Sequence, residues 1–270
     1  MLSEKQGEAP LTENQHNRIA ELEAKEKITD KQRIELTELV FRRDKPKEIV
    51  LSDTCIGYLM EHYAWVTQKM ISVSKEMDIE QFQKGKICEP EAIALLSLVD
   101  GVEYVKNTER IYNDFLTGEP DLFLGSEIKA ATKIIDTKVS FDYPIFLKKI
   151  NTRLIPDNKQ QIQGYMDISN AIEGEVADCL VDMPETMVND YRRKLMYRMN
   201  VISDQSPEYL TACAEMERSM YFGHIPPKLR VFKKIVEPFT QFDRQKVYDK
   251  VKVCRQWLFT FDEMYQKLNK

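Results

Sequence analysis

The stretch from residue 118 to residue 138 constrains the fold more than any other part of the sequence. It reads GEPDLFLGSEIKAATKIIDTK. Two apolar runs flank a turn at Gly125-Ser126, which predicts a pair of β-strands. Because side chains two apart in a strand share a face, Asp136 and Lys138 point to the same side, while Asp121 begins the preceding strand. The strand pair is therefore expected to bring two carboxylates and an ammonium group together.

This charged set predicts a chemistry as well as a fold. Carboxylate oxygens are hard ligands that suit Mg²⁺ or Mn²⁺, ions that use one or two protein carboxylates plus a substrate phosphate. The residues thus indicate metal-assisted hydrolysis of a phosphodiester. A solvated acid–lysine pair on a strand face is the alternative interpretation. The same spacing recurs in segments predicted as helix, turn and loop, at Glu23/Lys25, Glu127/Lys129 and Asp157/Lys159.

Two neighbouring segments favour the chemical interpretation. Upstream, Glu89-Pro90 opens a predicted helix that runs to Val99, because proline is favoured in the first turn of a helix. Downstream, an apolar stripe around Ile162 predicts a second helix, in which Gln161 and Tyr165 stand four residues apart on one face. Each segment supplies polar groups that a catalytic site could use.

The order of these pieces resembles a known family. Four patterns follow one another in the sequence: G-x-x-x-E-P-x-A from residue 85, G-x-P-D from residue 118, I-D-x-K from residue 135 and Q-I-Q-G-Y-M from residue 161. Together they resemble the phage-type alkaline exonucleases, the YqaJ/RecB-like branch of the PD-(D/E)xK nuclease superfamily. The resemblance covers roughly residues 51 to 170.

The resemblance implies a metal site. By similarity, Asp121 and Asp136 hold Mg²⁺ or Mn²⁺, the backbone carbonyl of Thr137 completes the shell, and Glu89 contributes to the same site. Many relatives have glutamate where this chain has Asp136. The shorter side chain is permitted in the superfamily motif, so the substitution affects the expected metal geometry more than the expected activity.

The resemblance also implies roles for residues that do not bind metal. Lys138 would orient or deprotonate the attacking water, and Gln161 with Tyr165 would support the lysine and the DNA backbone. The family places a serine, preceded by a basic residue, against a terminal DNA phosphate. Ser52 and Lys45 match that pair in position only, and the sequence also predicts Ser52 as the N-cap of a helix.

The first 50 residues predict a separate charged helical hairpin. A repeat of period 17 places a capping box at Thr12-x-x-Gln15 and again at Thr29-x-x-Gln32. The apolar stripe of the two helices is thin, which favours a spacer or a partner-binding arm. We expect residues 1–50 to form this hairpin and residues 51–270 to form the nuclease domain.

Composition narrows the class of protein. No apolar run approaches the roughly 18 residues that span a bilayer, and no signal peptide is evident, so we expect a cytoplasmic protein with no membrane association. The five cysteines are widely spaced and predict neither a disulfide framework nor a zinc site. A net charge of −5 argues against a protein that coats nucleic acid, but it does not exclude a nuclease.

The predicted fold is α/β, a restriction-endonuclease-like mixed central sheet flanked by helices. Remaining strands are predicted over residues 104–116, 176–183 and 229–236. Further helices are predicted over residues 185–199, 208–220 and 243–268, with a helix or loop over 141–156. Alternation and helical periodicity carry these assignments.

The predicted function is digestion of linear double-stranded DNA by a metal-dependent exonuclease in phage or prophage recombination, in the host cytoplasm if the protein is phage-encoded. A single-strand annealing protein is the expected partner, and a homo-oligomer the expected assembly. Two alternatives stay open: a structure-specific endonuclease, and a noncatalytic DNA-binding or assembly protein that retains the fold. Sequence does not separate cleavage at ends from cleavage in the interior of DNA.

Overall fold

A computed structural model describes residues 13–25, 27–44, 49–71 and 80–268. The chain divides into two compact units, Met1–Ile56 and Gly57–Lys270. The boundary falls inside a helix, α3 (Asp53–Gln68). Among the described helices, none is both long enough and apolar enough to cross a membrane.

The N-terminal unit contains α1 (Glu13–Glu23) and α2 (Asp30–Asp44). At the start of α2, the Gln32 amide N–H donates to Oγ1 of Thr29, and the Thr29 amide N–H donates to the Gln32 side chain at 3.0 Å. The second predicted capping box is confirmed, whereas Thr12 of the first lies outside the described residues. Among the side chains that the structure describes in these two helices, Ile19, Leu22 and Leu39 are the buried apolar ones.

The larger unit is built on a four-stranded mixed sheet. Its strands are β3 (Leu122–Leu124), β4 (Lys133–Val139), β5 (Glu173–Cys179) and β6 (Val231–Val236), which lie side by side in that order. The β4–β5 pair is parallel, and the two outer pairs are antiparallel. The predicted mixed central sheet is therefore confirmed.

Ile134 and Ile135 of the central strand β4 are both fully buried and point to opposite faces, so helices must cover both sides of the sheet. Ile135 packs on one face with residues of α5 (Glu89–Asp100). Ile134 packs on the other face with Ile162 and Met166 of α7 (Pro156–Ser169). These two helices carry the polar residues predicted to flank the acidic pair.

The remaining helices surround this core. A short helix, α4 (Glu80–Ile87), precedes α5, and α6 (Tyr143–Asn151) connects β4 to α7. Two helices, α8 (Glu185–Met199) and α9 (Pro207–Glu217), lie between β5 and β6 in the chain, and α10 (Gln241–Leu268) follows β6. The helices predicted in these regions are confirmed to within a few residues.

The prediction of a strand over residues 104–116 is wrong. Only β1 (Ile111–Tyr112) forms there, and it pairs with β2 (Thr117–Gly118) in a separate two-stranded hairpin. Elsewhere in this segment, asparagine side chains form hydrogen bonds with backbone carbonyl and N–H groups. Asn107 donates to the carbonyls of Glu109 and Pro120, and Oδ1 of Asn113 accepts the amide N–H groups that close the hairpin turn.

A fully buried lysine joins α4 to the ends of the central strands. The Nζ atom of Lys84 donates to the carbonyls of Ser140, Phe141 and Val181 at 2.8 to 3.1 Å. Ser140 and Phe141 follow β4, and Val181 follows β5. Burial lowers the pKa of Lys84 to about 8, because the charged ammonium loses its hydration.

Candidate active site

Antiparallel pairing of β3 with β4 places Asp121 beside the acid–lysine pair. The register matches Leu122 with Ile135, so the residue before β3 faces the end of the apolar run. Oδ2 of Asp121 accepts the Thr137 amide N–H at 2.8 Å and the Thr137 hydroxyl at 3.1 Å. These two hydrogen bonds fix the carboxylate against β4, and the convergence expected from the sequence is present.

Asp136 is almost completely buried, with 2% of its surface exposed. Its Oδ2 atom lies 2.7 Å from Nζ of Lys138 and has no other polar partner among the described residues. Burial raises the pKa of this carboxyl to about 6; the Lys138 ammonium opposes the shift and Asp121 adds to it. A buried carboxylate oxygen with so few donors has capacity for a cation.

Lys138 also contacts α7. Its Nζ atom lies 3.5 Å from Oε1 of Gln161, and Nε2 of Gln161 donates to the Tyr165 hydroxyl at 2.9 Å. The spacing of four residues puts Gln161 and Tyr165 on one face of the helix, as predicted. The lysine, the amide and the phenol therefore form one connected row.

A second acid lies beside Lys138 on the neighbouring strand. Asp178 of β5 is the register partner of Lys138, and in parallel strands such partners project from the same face. The Asp178 carboxylate is buried and accepts a hydrogen bond from Lys149 of α6 at 2.7 Å. Lys149 therefore neutralises a carboxylate that would otherwise compete for Lys138.

Glu89 is linked to Asp121 through Lys106, a residue that the sequence analysis missed. Nζ of Lys106 lies 2.5 Å from Oε1 of Glu89 and 2.8 Å from Oδ1 of Asp121. Burial opposes ionisation of Lys106, but its hydrogen bonds to Asp121 and Glu89 outweigh that cost and raise its pKa. No spacing signal identifies Lys106, because the lysine lies in an irregular segment that was predicted as a strand.

The carboxylates suit a hard divalent cation in their chemistry. Asp121, Asp136 and Glu89 offer only oxygen donors, and Oδ2 of Asp136 is buried with a single cationic neighbour. Within the described part of the chain, no three acidic, histidine or cysteine side chains already form a compact metal-binding group. Lys106 lies between Glu89 and Asp121 and contacts both carboxylates.

The structure describes one of the two residues predicted to bind a DNA phosphate. The Ser52 hydroxyl accepts the Cys55 amide N–H at 3.2 Å, which confirms its predicted role as the N-cap of α3. Lys45 lies outside the described residues. The phosphate-binding role of both residues stays a prediction.

The competing acid–lysine pair at Glu127/Lys129 does not lie on a strand. Both residues are exposed, and Lys129 belongs to a short 3₁₀ helix, Ile128–Ala130, in the β3–β4 connection. The ammonium group of Lys129 is therefore not directed into the acidic site. Lys129 provides a matched control for substitutions of the site lysines.

Comparisons with known proteins identify the fold. No model of a protein family matches the sequence, and no curated protein matches it significantly. A crystal structure of a phage-related exonuclease from Haemophilus somnus 129PT superposes with a TM-score of 0.56 at 21% identity, over 93% of this chain and 94% of that chain. An alkaline exonuclease from Laribacter hongkongensis gives 0.54 at 12% identity, over 82% and 88%.

The same Laribacter enzyme in complex with dAMP gives a TM-score of 0.53 at 12% identity, over 93% of this chain and 90% of that chain. The chain therefore has the fold of the phage-related and alkaline exonucleases. The fold that the sequence resemblance implies is therefore confirmed.

Proposed function

We propose that this protein is a metal-dependent DNA exonuclease that digests linear double-stranded DNA. The observation that carries the proposal is the pairing of β3 with β4, which sets Asp121 and Asp136 beside Lys138 in a chain with an exonuclease fold. The noncatalytic alternative is less favoured, because a buried, sparsely partnered carboxylate next to a lysine is costly to keep in a protein that does not use it.

Asp121 and Asp136 are the proposed ligands of Mg²⁺ or Mn²⁺, with the Thr137 carbonyl and Glu89 as further ligands. When bound, such an ion neutralises charge on the scissile phosphate and makes water a stronger nucleophile. The hydrogen bonds from Thr137 to Asp121 hold one carboxylate in place before any substrate arrives. The protein thus supplies oxygen ligands on a rigid strand pair.

Lys138 is the proposed partner of the attacking water. As an ammonium group beside Asp136 it can donate a hydrogen bond that orients the water, and after losing a proton it could accept one from the water. Water then adds to phosphorus and gives up one proton, the bond from phosphorus to one bridging oxygen breaks, and that oxygen leaves as a hydroxyl group after taking up a proton from solvent. Gln161 and Tyr165 act by holding the lysine and, we propose, by contacting the DNA backbone.

The biological setting is proposed from the family resemblance and from the names of the structural neighbours. It comprises phage or prophage recombination in the host cytoplasm, a single-strand annealing protein as partner, and a homo-oligomeric assembly. One neighbour was crystallised with dAMP, which supports a deoxynucleotide as the class of product.

The test compares linear duplex DNA with a covalently closed circle of the same sequence, in Mg²⁺ or Mn²⁺ and in excess EDTA. The proposal predicts degradation of the linear DNA only, and only with metal present. An Asp121→Ala protein purified in parallel controls for contaminating nucleases. Rapid nicking of the circle would favour the endonuclease alternative, and DNA binding without degradation would favour the noncatalytic one.

A further inference from the structure

Lys106 lies at the centre of the acidic site without belonging to any of the four sequence patterns. Its ammonium group contacts one oxygen of Glu89 and one oxygen of Asp121, at 2.5 and 2.8 Å. The other oxygen of Asp121 is taken by Thr137. One cation therefore joins two carboxylates that come from different elements, the first turn of α5 and the residue before β3.

The charges of the site explain why a cation is needed there. Glu89, Asp121 and Asp136 are three carboxylates, and each unpaired one would repel the others. Lys138 pairs with Asp136 and not with the other two acids. Lys106 therefore provides the neutralising charge for Glu89 and Asp121, and its field also reaches Asp136.

We propose that Lys106 is a built-in counter-ion: it holds Glu89 and Asp121 together while no divalent cation is bound, and it releases Asp121 when the cation binds. This inference rests on the proposed metal-dependent function. It assigns a role to a residue outside the resemblance, namely competition with the metal for the same oxygens. The ammonium and a divalent cation both seek carboxylate oxygen, and Asp121 has one oxygen committed to Thr137.

The expected size of the competition is modest. The side chains of Lys106 and Glu89 are about one-third exposed, at 36% and 34%, and that of Asp121 is 17% exposed. Solvent screens partly exposed ion pairs, so that breaking one changes an equilibrium by up to about fivefold. Removing the ammonium also makes the electrostatic potential of the site more negative, which acts in the same direction.

The experiment measures Mn²⁺ binding by calorimetry to metal-free wild type, Lys106→Met, Lys106→Arg and Lys129→Met proteins. Lys106→Met keeps the aliphatic stem and removes the charge, so its Kd should be about fivefold lower than that of wild type. Lys106→Arg keeps a cation that can span two carboxylates, so it should bind Mn²⁺ no more tightly than wild type. Lys129→Met should match wild type.

Thermal unfolding of the metal-free proteins gives a second measurement. Without its counter-ion, Lys106→Met should melt at a lower temperature than wild type in EDTA, and saturating Mn²⁺ should raise its melting temperature by more than it raises that of wild type. The arginine variant should keep the melting temperature of wild type in EDTA.

The outcomes separate this inference from the proposed function. If wild type binds Mn²⁺ and Lys106→Met binds it equally or more weakly, the counter-ion role is overturned while the metal site stands. If wild type binds no divalent cation at millimolar concentrations, the metal-dependent function fails, and the competition with it. Tighter binding by Lys106→Met and wild-type-like behaviour of Lys106→Arg would establish the role.

Discussion

The aromatic ring of Tyr165 lies where a side chain on residue 118 would have to go. A Cβ atom added to Gly118 would be 2.6 Å from Cδ1 of Tyr165, well inside van der Waals contact. The ring therefore packs directly on the backbone of β2, and its hydroxyl accepts the hydrogen bond from Gln161. Gly118 thus fixes the far end of the row that leads to Lys138.

Gly118→Ala should reduce cleavage far more than it reduces stability. The added methyl group displaces Tyr165, which disturbs the Gln161 contact to Lys138, and small displacements of catalytic groups can cost roughly 10- to 100-fold in rate. Gly85→Ala is the matched control, because a Cβ atom there meets nothing within 4 Å. Equal activity of the two variants in a linear-duplex assay would show that the row does not position the lysine.

Lys138→Ala and Asp121→Ala should fail in different ways. Loss of Asp121 removes a proposed metal ligand, so metal binding measured by calorimetry should fall together with cleavage. Loss of Lys138 should reduce cleavage by about two to four orders of magnitude while metal and DNA binding persist, because the proposed role of the lysine is to act on the attacking water. Lys129→Ala should stay near wild type. If Lys129→Ala were inactive and Lys138→Ala active, the catalytic motif would have been assigned to the wrong segment.

The metal-free protein should lose stability as pH rises because of Asp136. Its pKa is raised from 3.8 to about 6 on folding, so the folded state holds the proton more tightly than the unfolded state. The contribution is present at low pH and is lost as pH rises through 6, amounting to about 2 kcal/mol between pH 4.5 and 8. Urea unfolding in EDTA measures it as the difference between wild type and Asp136→Asn, which does not titrate. A pH-independent difference would contradict the shift.

Lys84→Met should destabilise the fold by roughly 2 to 4 kcal/mol, because three carbonyls lose their donor, two of them in buried hydrogen bonds and one in a partly buried hydrogen bond. Lys86→Met is a suitable control, since Lys86 is exposed on the same helix. Urea denaturation of both variants measures the effect. Indistinguishable transitions would mean that water or a rearranged loop satisfies those carbonyls.

Deleting residues 1–45 should leave cooperative unfolding and much of the cleavage of short duplexes intact. The proposed catalytic residues and the central sheet all belong to the unit Gly57–Lys270. Assembly or substrate engagement should weaken instead, which light scattering and DNA-binding assays would report. A folded but inactive truncation would require the N-terminal unit to be part of the catalytic site.

The sequence determined those parts of the protein that depend on spacing within one element or across one short turn. Asp136 and Lys138 share a face because a strand alternates, and Gln161 and Tyr165 share a face because a helix repeats every 3.6 residues. Asp121 adjoins them because a short connection makes the two strands antiparallel neighbours. The capping roles of Thr29 and Ser52 are equally local.

The alternation of apolar and polar residues gave a wrong prediction where side-chain hydrogen bonds replaced the pairing of two strands. Residues 104–116 alternate well enough to predict a strand, but Asn107 and Asn113 satisfy the backbone through their own amides. Competition between these local hydrogen bonds and a strand ladder depends on what neighbouring chain is available to pair with, and a sequence window does not contain that information.

Only the tertiary structure decided which distant groups meet. Lys106 reaches Glu89 and Asp121, Lys84 reaches carbonyls that follow β4 and β5, and Tyr165 fills the space beside Gly118. Each contact joins segments whose separation in the chain has no fixed relation to their separation in space. Periodicity orders side chains along a helix or a strand, whereas the packing of one element against another sets which charges are buried together and therefore which are paired.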